Sequence, residues 1–128
     1  MVRVVPKFDQ IKRELASYED HLIGDFKVGT IIGKLRAIIA NENVDFKASE
    51  AKSIKIKKFD IPRNHITYLY AYASNKYGQT IAVGEDVHLP INLEKTVDTA
   101  LFVAGIEGKI EKNDLIGILI LLPIEMIK

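Results

Sequence analysis

The chain has no cysteine and no tryptophan. The first absence removes disulfides, thiolate nucleophiles and cysteine metal sites, and makes an intracellular, cytoplasmic location the simpler expectation. No Pro-, Gly- or Ser-rich tract marks a linker, so the 128 residues are read as one domain. An excess of charge is missing too: 18 Lys and Arg stand against 17 Asp and Glu, mixed along the chain. Binding to nucleic acid or to an anionic membrane usually needs a basic excess or block, so neither partner is expected.

Long apolar runs are equally scarce. Leu115 to Ile127 is the nearest approach, but it covers 13 positions and contains Pro123 and Glu125. A membrane span needs about 20 apolar residues, so this run reads as a core strand. The opening Met1-Val2-Arg3-Val4-Val5-Pro6 is too short an apolar run to read as a secretion signal. Ser17, Ser49, Ser53 and Ser74 lie in no nucleophile motif, and no Gly-rich phosphate loop occurs. His21, His65 and His88 are far apart and form no H-x-H or H-E-x-x-H pair, so no metal site and no cofactor is expected.

What the chain does have is periodicity. Phe8, Ile11, Leu15, Tyr18 and Leu22 recur at spacings of three and four, which predicts one amphipathic helix over residues 7–23, ended by Gly24. Its stripe is expected to pack on a sheet, with a helix–helix dimer seam as the alternative. Residues 30–40 suit a helix or a strand, and the Ile density, Gly33 and the Asn41-Glu42-Asn43 turn favour a strand. From residue 44 the pattern is β to about residue 124. Apolar phase flips between Ile54-Lys55-Ile56 and Phe59-Asp60-Ile61, predicting a β-bulge at Lys57-Lys58. Short strands are expected at Ile66–Ala73, Thr80–Val83, Val87–Ile91, Thr99–Ala104 and Lys109–Glu111. A turn at Lys112-Asn113-Asp114 then leads into Leu115–Leu122, apolar except at Gly117 and expected to be covered on both faces. The predicted class is mostly β, a single-domain sandwich or barrel with one N-terminal helix.

Candidate functional residues are few. Tyr68, Tyr70 and Tyr72 share one strand face and could stack a planar ligand, or fill an oligomer interface with their hydroxyls in water. Tyr77, His65, Glu85 and His88 complete a candidate ligand pocket, in which Glu85-Asp86 and His88 resemble a weak acid/base cluster. Lys55, Lys57 and Lys58 read as protection of an edge strand rather than as a phosphate site. The leading expectation is a non-enzymatic binding or assembly module forming a homo-oligomer. The alternative is a small-molecule enzyme with a pocket near His65 and His88, possibly metal-dependent.

Three stretches carry a family resemblance: Ile54-Lys55-Ile56 through Ile61-Pro62, the loop Tyr77-Gly78-Gln79, and the closing run from Gly108 to Gly117. Together they resemble a small archaeal family of uncharacterised domains, the twenty-second in the numbered series of domains of unknown function. Asn113 stands where that pattern has a glycine. The resemblance implies an archaeal, cytoplasmic, β-rich domain and brings no activity with it.

Overall fold

The computed structural model describes residues 24–72, 75–85 and 89–127. Among them the chain forms nine strands: β1 (Gly24–Val28), β2 (Ile31–Ile39), β3 (Val44–Phe46), β4 (Ala51–Ile61), β5 (His65–Leu69), β6 (Gly78–Gly84), β7 (Lys95–Ala104), β8 (Gly108–Ile110) and β9 (Leu115–Pro123). The protein is mostly β. The helix predicted over residues 7–23 lies outside the described residues.

All pairings are antiparallel. A four-stranded sheet runs β1-β2-β9-β5, a three-stranded sheet runs β4-β7-β6, and β3 pairs with β8. The apolar C-terminal run therefore becomes β9, an inner strand with ladders to β2 and β5. One core joins the sheets: Ile38, Leu119 and Leu121 come from the first, Ile54, Ala100 and Phe102 from the second. Phe46 adds an edge-on contact to Phe102, with ring centroids 5.2 Å apart. The expected alternative of a barrel is corrected. The sheets are open, and the bridge between Ala40 and Ile56 joins β2 to β4 without closing the sheets on themselves.

The turn before β9 forms where its residues predict. Asn113 takes φ 77°, a left-handed conformation that Asn tolerates better than most residues. Its N–H donates to the Ala40 carbonyl at 2.8 Å, and the Ala40 N–H donates to the Asp114 carbonyl at 2.9 Å. The Asp114 carboxylate accepts the Glu111 N–H at 2.8 Å, closing the turn from within. These bonds fasten the start of β9 to the end of β2.

Gly117 is the small residue in an otherwise bulky strand for a spatial reason. A Cβ there would sit 3.2 Å from Ile38 Cδ1 and 3.3 Å from Thr80 Cβ, where the second sheet approaches. The buried Thr80 hydroxyl donates to the Ile116 carbonyl at 2.8 Å, tying β6 to β9.

The bulge forecast at Lys57-Lys58 is present. Lys55 pairs with Thr99 and Phe59 with Val97, so Ile56, Lys57 and Lys58 stand opposite Asp98 alone. Three readings change. The β region begins at Gly24 rather than near residue 30, because Asp25-Phe26-Lys27-Val28 turns at Gly29, φ 63°, onto β2. β7 begins at Lys95 rather than Thr99; its alternation is broken because Val97 and Ala100 are buried three positions apart. Of the expected strand Val87–Ile91, Leu89 and Pro90 are irregular and Ile91 is in a turn. Pro90 has no N–H to give a ladder.

Gly78 and Gly84, at opposite ends of β6, should respond differently to alanine. A Cβ on Gly78 would run into the Val103 carbonyl, whereas Gly84 has open space. Gly78→Ala is expected to cost at least about 2 kcal/mol through backbone displacement. Gly84→Ala should stay within about 1 kcal/mol of wild type. Urea unfolding of both variants checks the contrast.

Candidate functional site

The registers of the four-stranded sheet decide which side chains look away from the core. Ile38, Leu119 and Leu121 face inward, so alternate residues face outward: Phe26 and Val28 on β1, Ile31, Leu35, Ala37 and Ile39 on β2. Leu115, Ile118, Ile120 and Leu122 follow on β9, with Ile66 and Tyr68 on β5. No outward position of these four strands is charged. The charges of β1 and β2 all take the other phase. Lys34 pairs with Asp25 at 3.7 Å, and Arg36 donates to the Leu35 carbonyl at 2.9 Å. The apolar phase of these strands is thus gathered on the side away from the core.

The outer surface is graded. Ile39 and Leu115 are buried with Ala37 and Ile118 packed on them, forming a small second cluster. Toward the β5 edge the aromatic row stands in the open: Tyr68, Tyr70 and Tyr72 are 53, 46 and 64% exposed. The Tyr70 N–H donates to the Ile118 carbonyl at 2.9 Å, which extends the β5 ladder past Leu69. The Tyr70 and Tyr72 rings lie nearly parallel with centroids 6.2 Å apart. An uncharged surface with large side chains at its margin is the kind that proteins use for contact with other molecules.

Asn75, which sequence reasoning passed over, holds the segment after this row. It is buried, its amide donates to the Leu115 carbonyl at 3.2 Å, and its oxygen accepts the Tyr77 N–H at 2.9 Å. Its position between the expected strands Ile66–Ala73 and Thr80–Val83 gave no sign of burial.

The other described candidate residues do not join the row. Tyr77 packs its ring against Gly108, its carbonyl accepts the Gly105 N–H at 2.7 Å, and Lys76 Nζ lies 5.0 Å from the ring centre. It lines an open cleft of about 740 Å3 with Phe46, Glu50, Lys52 and Glu107. His65 starts β5 opposite Pro123 and its Nδ1 sits 2.9 Å from the Arg63 carbonyl, a local bond. Glu85 lines a smaller cleft of about 230 Å3 with Ile61, Leu89, Lys95 and Thr96. Asp86 and His88 lie outside the described residues, and so does any grouping that needs them. Among the described residues no group of three or more His, Cys, Asp or Glu is placed to hold a metal. Lys55, Lys57 and Lys58 belong to β4 of the three-stranded sheet, so they share no sheet with the tyrosines. Among the described residues no helix is long and apolar enough to cross a membrane.

The family model for the domain of unknown function DUF22 matches residues 1–108. The chain belongs to the DUF22 family. The match takes in the N-terminal residues and ends at Gly108, so the closing run into β9 lies almost wholly beyond it. This DUF22 chain is also 37% identical over 116 residues to the uncharacterized protein MJ0614 of the archaeon Methanocaldococcus jannaschii, covering 91% of this chain and 84% of that one. No solved structure matches the chain significantly.

In the larger cleft the Glu50 carboxylate is held by two neighbours. The Glu50 carboxylate accepts the Lys47 N–H at 3.2 Å and meets Lys52 Nζ at 3.1 Å, and both, the backbone bond first, hold its pKa below the ordinary value. A lowered folded-state pKa gives stability that is present above the ordinary carboxylate value and lost as pH falls through the folded one. Glu50→Gln should therefore lower Tm at neutral pH, with the gap to wild type closing in acid. Thermal melts across pH check this; a gap that stays constant or widens in acid would contradict it.

Proposed function

We propose that this DUF22 protein is a non-enzymatic, cytoplasmic binding or assembly module that forms a homo-oligomer through the outer side of its four-stranded sheet. The observation that carries this reading is the absence of charge from every outward position of β1, β2, β9 and β5, with Tyr68, Tyr70 and Tyr72 exposed at one margin. Burying that side removes apolar area from water at about 25 cal/mol per Å2, and no charge has to be desolvated to do it. Tyrosine suits the margin of such a contact: it offers a large rigid face, and its hydroxyl reaches solvent at the rim. A self-complementary patch closes under two-fold symmetry, so a dimer is the simplest assembly.

Native mass spectrometry and light scattering at micromolar concentration test the reading. Wild type should be oligomeric. Tyr70→Glu should dissociate it, because a carboxylate in the aromatic row would be desolvated against an uncharged surface with no partner, at a cost of about 2 kcal/mol or more. Circular dichroism should show the β content of the variant unchanged, since Tyr70 packs no core. A monodisperse wild-type monomer would overturn the proposal.

A further inference from the structure

We infer that the larger cleft is a binding site for a small zwitterion of the α-amino-acid kind, held by the Lys52 ammonium and the Glu50 carboxylate. The cleft shares no residue with the four-stranded sheet: its walls are the β3–β8 pair, the turn into β4 and the segment carrying Tyr77. Its volume of about 740 Å3 lies in the range of small-molecule sites. Charge decides the class of ligand. Lys47, Lys52 and Lys109 are balanced by Asp45, Glu50 and Glu107, so the lining carries no net charge. A phosphate or other simple anion gains no net attraction there, and neither does a simple cation. A ligand carrying both signs can meet both.

The pair is held in place and keeps bonding capacity to spare. Backbone bonds fix Glu50 on both sides: its N–H donates to the Lys47 carbonyl at 3.1 Å, and its carbonyl accepts the Ala104 N–H at 2.9 Å. Ser49, just before it, takes φ 67° and donates its N–H to the Ala104 carbonyl at 2.8 Å. Lys52 Nζ is held by the Asp45 carbonyl at 2.9 Å and Glu50 Oε1 at 3.1 Å, and lies 5.7 Å from the centre of the Phe46 ring. An ammonium has three N–H donors, so one remains. The Lys47 N–H and Lys52 both meet Oε1 of Glu50, so Oε2 has no partner among the described residues. With side chains 42 and 33% exposed, Lys52 and Glu50 offer one unused donor beside one unused acceptor. Positive and negative centres 3.1 Å apart fit a ligand whose own ammonium and carboxylate are neighbours, as on the α-carbon of an amino acid. The ligand's carboxylate meets Lys52 and its ammonium meets Glu50, giving four charges that alternate in sign. The Tyr77 ring, seated on Gly108, supplies an apolar wall for the rest of the ligand.

Full-length, isotope-labelled protein is titrated with the standard L-α-amino acids one at a time, and amide shifts are followed by NMR. At least one should give saturable shifts centred on Lys47, Glu50 and Lys52. The N-acetyl and carboxamide derivatives of that amino acid each lack one charge, and should bind at least about tenfold more weakly. Lys52→Gln should weaken binding of the free amino acid by about tenfold or more, with β content unchanged by circular dichroism. Lys109→Gln removes a charge of the same cleft outside the pair, and should change affinity by less than about threefold. The comparison of derivatives uses wild-type protein alone, so it decides the matter whether or not a variant folds. No saturable shift at the cleft with any amino acid, or derivatives that bind as tightly as the free form, would overturn the inference. Equal losses in Lys52→Gln and Lys109→Gln would do the same.

Discussion

The two ladders of β9, to β2 on one side and β5 on the other, hold the four-stranded sheet together and decide what its outer side presents. An inner strand has its backbone groups taken up on both edges, so its stability depends on what covers its two faces. Inward, Leu119 and Leu121 meet β4 and β7 across the core, and Gly117 makes room for Thr80. Outward, Leu115, Ile118, Ile120 and Leu122 continue an uncharged surface across to β2 and β5. The strand is made for burial on both sides, and the described part of the chain supplies a full layer on one.

That asymmetry is what gives the surface its meaning. Single exposed apolar residues are ordinary, and Ile81 on β6 or Ile106 in a loop need no explanation. A whole sheet side without charge is different, since Asp25, Lys27, Lys34 and Arg36 show that the same strands carry charge freely in the other phase. Membership of DUF22 and the likeness to an archaeal relative give the chain a lineage, and the sheet itself gives the site its chemistry.

Much of the β architecture was legible in the residues. The Asn113-Asp114 turn could be read from side chains that tolerate positive φ, and the bulge at Lys57-Lys58 from a flip of alternation. The outer side of the sheet was harder to see, for a physical reason. Ile31, Leu35, Ile38 and Ile39 satisfy helical spacing as well as strand spacing, so the sorting of Lys34 and Arg36 away from Leu35 and Ala37 acquires sense only once β2 is a strand paired with β9. β1 escaped notice because five residues ending in a Gly29 turn give too short an alternation, and Gly24 served equally well as a helix stop. Of the tyrosine row expected on one strand only Tyr68 lies within β5, which ends at Leu69, and the packing of Tyr77 against Gly108 is a tertiary contact that no spacing reveals.

Hydroxyl-radical footprinting over a range of protein concentrations tests the central claim, that the outer side of the four-stranded sheet is a contact surface. Tyr68 and Ile81 are almost equally exposed in one chain, 53 and 52%, but only Tyr68 lies on that side. Oxidation of Tyr68 should fall as concentration rises while that of Ile81 stays constant. Parallel behaviour of the two residues at every concentration would contradict the account.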